Sequence, residues 1–443
     1  MMLDANIDNE TIVALASGSL PSGVAVIRVS GSQSKFLLNE FCGSVPKARV
    51  LSLKSINHKN ILLDKALVVY FTAPNSFTGE ECAEFHLHGS MALVRLFLHA
   101  LCSYQGVRMA KAGEFTLRAF ENSKLDLVEV EGIADLIDAE TENQHKQAIA
   151  RMAGGVSQKI DLWREELVFL RGEIEARIDF SDEEDVADIL SDQFIKKLQD
   201  LKQSFSQALA NIEQGRIVKD GFRIAIAGRP NSGKSSLINC LANSNLAIVS
   251  VEAGTTRDIK EVPMNIDGQL VIFIDMAGLR NTLSDAEAQG IERAKVEIAN
   301  ADLVLWLQPS DQTYSSEDIL ELSNIENNII HINSKADLFI KPKNKNLSIS
   351  TKTNTGIEEL FSLIKAEFIG ITNNQTIFLS RTRDKEAIFQ ALETLQLAID
   401  NINTPEISAD FLRQSSEALA RLLGKIDPEK ILGQIFSNFC IGK

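Results

Sequence analysis

Eight consecutive residues carry the strongest chemical signal in this chain: Gly228-Arg229-Pro230-Asn231-Ser232-Gly233-Lys234-Ser235. They follow an apolar run (Arg223–Ala227) and lead into a helical stretch (Ser236–Leu241), which is the strand–loop–helix setting that G-x-x-x-x-G-K-S requires. Glycine lets backbone close around phosphate, and successive N–H groups at a helix N-terminus form an anion nest. Such a loop places Asn231, Ser232, Gly233, Lys234, Ser235 and Ser236 around a nucleotide. Lys234 reaches the β- and γ-phosphates and the Ser235 hydroxyl binds Mg²⁺.

Three further stretches fit the same chemistry. Asp275-Met276-Ala277-Gly278 follows the apolar run Leu270–Ile274; the strand end sets Asp275 near the metal, and the Gly278 N–H meets the γ-phosphate. Between them, Gly254-Thr255-Thr256-Arg257-Asp258 offers Thr256 as a second hydroxyl on Mg²⁺. Base selection falls to Ser334-Lys335-Ala336-Asp337, where Asp337 accepts from the two adjacent N–H donors of guanine and Lys335 packs over the base. Ser334 stands where such loops usually carry Asn, which removes an amide contact and predicts weaker guanine binding with specificity kept by Asp337. Ser350-Thr351-Lys352 suits a final base-contact loop. Ras-like proteins place a water-orienting Gln after D-x-x-G; this chain has Leu279, so hydrolysis needs another water-positioning group and another positive charge.

The elements that must hold these residues can be read from periodicity. Residues 222–368 alternate strand runs (Arg223–Ala227, Val271–Ile274, Leu303–Leu307, Ile329–Ile332) with helical stretches, which predicts a mostly parallel sheet. Residues 125–212 lack proline and space apolar residues for long amphipathic helices, and 381–443 return to that pattern after the module. Helices on both sides suggest an α/β module inserted into a helical domain. Residues 11–120 mix strands (Val24–Val29, Ala66–Phe71), a loop (Thr72–Gly79) and a helix (Ala92–Cys102), an α+β pattern. The acidic run Ser181–Asp185 reads as a solvated loop or helix start.

Composition bounds the rest. The 443 residues allow roughly three domains, and 44% apolar with 24% charged residues is a globular balance. A net charge of −15 argues against a generally basic nucleic-acid coat or an anionic-membrane binder, while leaving room for a local basic patch. Five scattered cysteines with no C-x-x-C pair argue against a disulfide scaffold or a Cys-based zinc site and predict a reducing compartment. No targeting pattern or membrane-length apolar run stands out, so the expected location is the cytoplasm. His86 and His88 share one face of a strand and are too few for a metal site.

Taken together with further markers, the chain resembles the MnmE (TrmE) family of tRNA-modification GTPases. The markers are Gly23–Gly31, Phe77-Thr78-Gly79-Glu80, Gly113-Glu114-Phe115-Thr116 with Arg118-Ala119-Phe120, Lys124–Leu127 and Phe439-Cys440-Ile441-Gly442-Lys443. The resemblance runs from about Asp8 onward. It implies an α+β folate-binding and dimerisation domain (1–122), a helical domain in two segments (123–216 and 377–443) and an inserted Ras-like G domain (217–376). It also implies a K⁺ ion held by Asn231, Ser250, Glu252 and Thr255 in place of an arginine finger, with Glu287 orienting the water. A tetrahydrofolate derivative would meet Arg28, Glu84, Lys124 and Lys443, with Cys440 near its one-carbon unit. Implied partners are a second copy of the chain, an FAD-binding MnmG-like protein in a heterotetramer, and tRNA. The competing expectations are an RNA-binding or ribosome-assembly GTPase switch without one-carbon chemistry, and a folate enzyme with a decayed G domain, suggested by Ser334 and Met276.

Overall fold

The computed structural model describes residues 10–179, 191–248, 260–275, 296–310, 328–338, 345–372 and 379–426, together with Leu432, Phe436, Phe439 and Gly442. The chain divides into two compact units. One comprises Met1–Ala134, Ser157–Arg171 and Leu412–Lys443; the other comprises Asp135–Val156 and Gly172–Phe411.

The first unit is built on a six-stranded sheet ordered β3-β4-β5-β2-β1-β6. Its strands are β1 (Thr11–Leu15), β2 (Ser22–Ser30), β3 (Ser52–His58), β4 (Ile61–Phe71), β5 (Cys82–Gly89) and β6 (Val107–Met109). All neighbours are antiparallel except β1 and β6. Successive strand side chains point to opposite faces. Ala25, Ile27 and Val29 of β2 and Ala83, Phe85 and Leu87 of β5 therefore turn to one side. There they pack on Leu37, Leu38 and Phe41 of α1 (Ser34–Cys42) and Val94, Phe97 and Leu101 of α2 (Met91–Cys102). The intervening residues, Arg28, Glu84 and His86 among them, turn to the other face. On that side Ile12 and Ala14 pack with Phe115 of α3 (Glu114–Glu121). Phe436 and Phe439 pack with Val130 of α4 (Leu127–Asp138).

The second unit holds another six-stranded sheet, ordered β12-β11-β10-β7-β9-β8. Here β7 is Phe222–Gly228, β8 Lys260–Ile266, β9 Gln269–Asp275, β10 Leu303–Pro309, β11 Ile329–Ser334 and β12 Leu347–Ser348. Only β8 runs against its neighbour; every other pair is parallel. Parallel strands are apolar on both faces because helices cover both. Leu303 and Leu305 pack toward α8 (Lys234–Ala242) and α9 (Ile357–Thr372), while Val304 and Trp306 pack toward Ala301 and Ile298 on the opposite side. This is the α/β module expected from the alternating pattern.

The remaining helices in chain order are α5 (Glu142–Met152), α6 (Gly155–Asp179), α7 (Asp192–Asp220), α10 (Thr382–Asp400) and α11 (Pro405–Leu422), of which α5, α7 and α10 lie wholly in the second unit. Within the second unit α5 and α10 are joined by a fully buried ion pair, Arg151 Nη1 to Asp384 Oδ2 at 3.1 Å. Helix α7 delivers the chain into β7. Glutamine amides bond three carbonyls in its last two turns, of which only that of Lys219 lies beyond reach of the helix's own N–H groups and its cap. Gln147 donates to Gly215 O at 3.1 Å, Gln269 to Ile217 O at 2.8 Å and Gln144 to Lys219 O at 2.8 Å. No helix among the described residues is long and apolar enough to cross a membrane.

Candidate functional site

The phosphate loop leaves the carboxyl end of β7, which lies between β9 and β10. Ligands in open α/β sheets bind at such a point, where connections diverge to opposite sides. Gly228 has φ +135°, and a Cβ there would stand 2.3 Å from the Leu307 carbonyl, so only glycine permits this crossing. Asn231 (φ +62°) and Gly233 (φ +99°) both take left-handed conformations and turn the backbone into α8. Ser232 is fully buried. The Lys234 ammonium is folded into the loop, donating to the carbonyls of Gly228 and Arg229 at 2.8 Å each.

Neighbouring strands bring the other described candidates to the same edge. Asp275 is buried at the end of β9, in register with Ile226 of β7. Ser334 ends β11. Its backbone carbonyl accepts from Ser310 N (3.0 Å) and Ser310 Oγ (2.7 Å). Its hydroxyl donates to the Ser232 carbonyl at 2.5 Å. The residue at this position therefore ties the 334–337 loop to the phosphate loop, a role that local reading of Ser334 as a missing amide did not reveal. Asp337 accepts from Ser350 Oγ at 2.8 Å, and Ser350 Oγ in turn accepts from Lys352 N at 3.3 Å, so the 334–337 and 350–352 segments are joined. Lys335 holds φ +58° between them. Ser250, Glu252, Gly254, Thr255, Thr256, Gly278, Glu287, Cys440 and Lys443 lie outside the described residues.

A second constellation lies on the first unit's sheet. Arg28 and Glu84 are cross-strand partners in β2 and β5, and Arg28 Nε donates to Glu84 Oε1 at 3.0 Å. The guanidinium sits 5.5 Å from the Phe77 ring centroid and 5.7 Å from that of Phe115, within cation–π range of both. His86 Nε2 is 3.5 Å from the other Glu84 oxygen. His88 instead turns outward to Asp64, Nδ1 to Oδ1 at 2.8 Å. Lys124 lies against Gly79, two residues from Phe77, so that a Cβ at Gly79 would be 3.4 Å from Lys124 Cγ. Gly442 backs onto β1, where a Cβ would stand 2.1 Å from the Leu15 carbonyl.

What fixes the loop that carries Phe77 is a polar cluster beneath it. Ser30 Oγ donates to Glu80 Oε2 at 2.6 Å and lies 2.7 Å from Thr78 Oγ1. The buried Arg118 pairs with Glu80 (3.0 Å) and Glu114 (3.2 Å). Burial pushes the Glu114 carboxyl up. Hydrogen bonds from Arg108 and the Lys111 N–H, with the charges of Arg108 and Arg118, reverse this and hold it below its ordinary value. In sequence Phe77, Thr78, Glu80, Phe115 and Arg118 stand only as family markers; Thr78, Glu80 and Arg118 build this cluster, and Phe77 and Phe115 meet the Arg28 guanidinium.

A phosphate loop at the sheet's switch point, with the 334–337 loop tied to it, defines a P-loop nucleotide-binding protein. The same chain carries a separate α+β unit with a cation–carboxylate pair beneath two aromatic rings. Models of the MnmE helical domain and of the N-terminus of the GTP-binding protein TrmE match residues 127–440 and 11–124. The tRNA modification GTPase MnmE of Rhizobium johnstonii is 43% identical over 442 residues, covering 98% of this chain and 99% of its own. That of Agrobacterium fabrum is 41% identical over 440 residues, with 98% and 99% covered. The chain belongs to the MnmE (TrmE) family of tRNA-modification GTPases.

Proposed function

We propose that this chain is a K⁺-activated GTP hydrolase that works as a homodimer with an FAD-binding MnmG-like protein. Together they add a carboxymethylaminomethyl or aminomethyl group at C5 of the wobble uridine of certain tRNAs, drawing a one-carbon unit from a reduced folate. Lys234 and the N–H groups of the phosphate loop bind the β- and γ-phosphates, and Asp337 selects guanine. The donor set fits hard cations. Ser235 and Thr256 offer hydroxyls to Mg²⁺, and Asn231, Ser250, Glu252 and Thr255 offer oxygens to K⁺. K⁺ supplies positive charge beside the γ-phosphate when bound. Glu287 orients the attacking water. On the other unit, Glu84 accepts from the N–H edge of a pterin, while Arg28, Lys124 and Lys443 favour its anionic tail; Cys440 lines the one-carbon position.

The observation that carries this reading is the coexistence of the phosphate loop and the Arg28–Glu84 pair in one chain. A GTPase timer requires only the first. The test measures initial GTP hydrolysis by the full chain in matched KCl and NaCl, with Asn231→Ala as control, alongside binding of 5-formyltetrahydrofolate. Stimulation by K⁺ that Asn231→Ala abolishes, with saturable folate binding, is the expected result. Equal rates in both salts overturn the ion's role. Hydrolysis without folate binding favours the RNA-binding switch.

A further inference from the structure

The hairpin β8–β9 is the one antiparallel pair of strands in the G domain's sheet among the described residues, and it joins two regions. At one end, Lys260 follows directly on the 250–259 segment and is paired with Asp275. At the other end, the turn Asp267–Gly268 lies against the first turn of α5. Asn143 N donates to Gly268 O at 3.1 Å, and Asn265 Nδ2 donates to Glu142 Oε2 at 3.2 Å. The hairpin is in unbroken register between these ends, from Lys260↔Asp275 to Ile266↔Gln269. Seven paired residues span about 20 Å, so it acts as a stiff arm.

Helix α5 continues the line. Thr141 and Gln144 form a capping box that fixes its first turn, and Gln144 also reaches the last turn of α7. Two turns further on, the same helix presents Arg151, whose buried pair with Asp384 belongs to α10. An eleven-residue helix held at both ends is a rod of about 16 Å. Its two attachments differ. The Arg151–Asp384 pair is fully buried. The joint to the G domain is polar, with Glu142 exposed, and it borders a cavity of about 100 Å³ lined by Asp135, Asp138, Gln144, Gln147 and Lys219. Hydrogen bonds near water exchange cheaply, whereas a buried ion pair does not.

We infer that the first turn of α5 is the coupling joint of this molecule. It transmits movement of Asp275 and Lys260 on nucleotide exchange through the β8–β9 turn to α5 and on to α10. Glu142 and Asn265 are the positioning residues of this joint. The inference rests on the proposed nucleotide site and adds a route away from it.

Hydrogen exchange of the full chain with GDP, and with a non-hydrolysable GTP analogue plus Mg²⁺, tests it. In the unmodified chain, exchange in 142–152 and 382–400 differs between the two nucleotides. In a Glu142→Ala/Asn265→Ala variant that difference falls at least fivefold, while the difference across 260–275 and the GTP hydrolysis rate stay within twofold. Glu142→Gln keeps an acceptor for Asn265 and retains the coupling. A variant whose 142–152 and 382–400 segments respond like the unmodified chain overturns the joint. So does an unmodified chain in which only 260–275 responds. If neither nucleotide protects residues 222–242, the nucleotide-binding reading itself falls, and the joint with it.

Discussion

Replacing Ser334 by alanine deletes one hydroxyl and nothing else, which makes its effect calculable. That hydroxyl can only be the donor to the Ser232 carbonyl, because a carbonyl only accepts; the contact is 2.5 Å. Ser232 is fully buried and Ser334 is 4% exposed, so water does not replace the lost proton. Leaving a buried acceptor without its donor costs about 1–3 kcal/mol. The bond holds the phosphate loop against the 334–337 loop, so the loss falls on the fraction of molecules with a competent cradle, and apparent affinity drops by that fraction. At about 1.4 kcal/mol per tenfold, the nucleotide should bind about 5- to 150-fold more weakly. The assay is titration with a fluorescent GDP analogue at fixed Mg²⁺, with thermal unfolding as a control on global stability. An affinity within twofold of the unmodified chain would refute the reasoning, since the phosphate loop would then hold its shape without Ser334.

Further outcomes follow from the same structure. Asp384→Asn should strip Arg151 of its buried carboxylate and destabilise the α5–α10 contact by about 3 kcal/mol. This is the low end of the usual range because Asp135 also lies 3.9 Å from Arg151; faster hydrogen exchange in residues 142–152 and 382–400 reads it. Burial alone would raise the Asp384 carboxyl, but the charges of Arg151 and Arg383 and the Ser380 N–H outweigh it, and it titrates below its ordinary value. A depressed carboxyl stabilises the fold fully above its unfolded pKa of about 4 and loses that contribution as pH falls through the lower folded value. The α5–α10 contact should therefore hold unchanged from pH 7 to 5 and weaken only below about pH 4, as followed by exchange rates corrected for pH. Glu84→Gln should leave the melting temperature nearly unchanged, because the Arg28 pair is partly exposed (24% and 19%) and such pairs add at most about 1 kcal/mol. The same variant should weaken reduced-folate binding about tenfold by calorimetry, since a charged acceptor contributes roughly 1.5–3 kcal/mol.

The phosphate loop was legible because its information is local: the residues from Gly228 to Ser235 act on one ligand, and spacing alone encodes their geometry. The parallel sheet was legible for a similar reason, since strands such as Leu303–Leu307 are apolar on both faces. Contacts between distant segments were not. Ser334 and Ser232 are 102 residues apart, and nothing about either serine announces the other. Arg28 and Glu84 meet through strand register across 56 residues, so only family resemblance suggested that they share a site. Gln144, Gln147 and Gln269 were silent as well. A glutamine that caps a neighbouring helix looks in sequence like any polar surface residue, because its partner is a backbone carbonyl that every residue type provides.

Those three glutamines have a consequence for how the protein meets its ionic surroundings. Helix carboxyl ends are commonly neutralised by lysine or arginine, an attraction that dissolved salt weakens. The carbonyls of Gly215, Ile217 and Lys219 are met by uncharged amides, so these three contacts hold no charge attraction for salt to screen, unlike the Arg216–Asp302 and Lys219–Asp220 pairs on the same stretch. The amide contacts therefore persist at ionic strengths that weaken the charge pairs beside them.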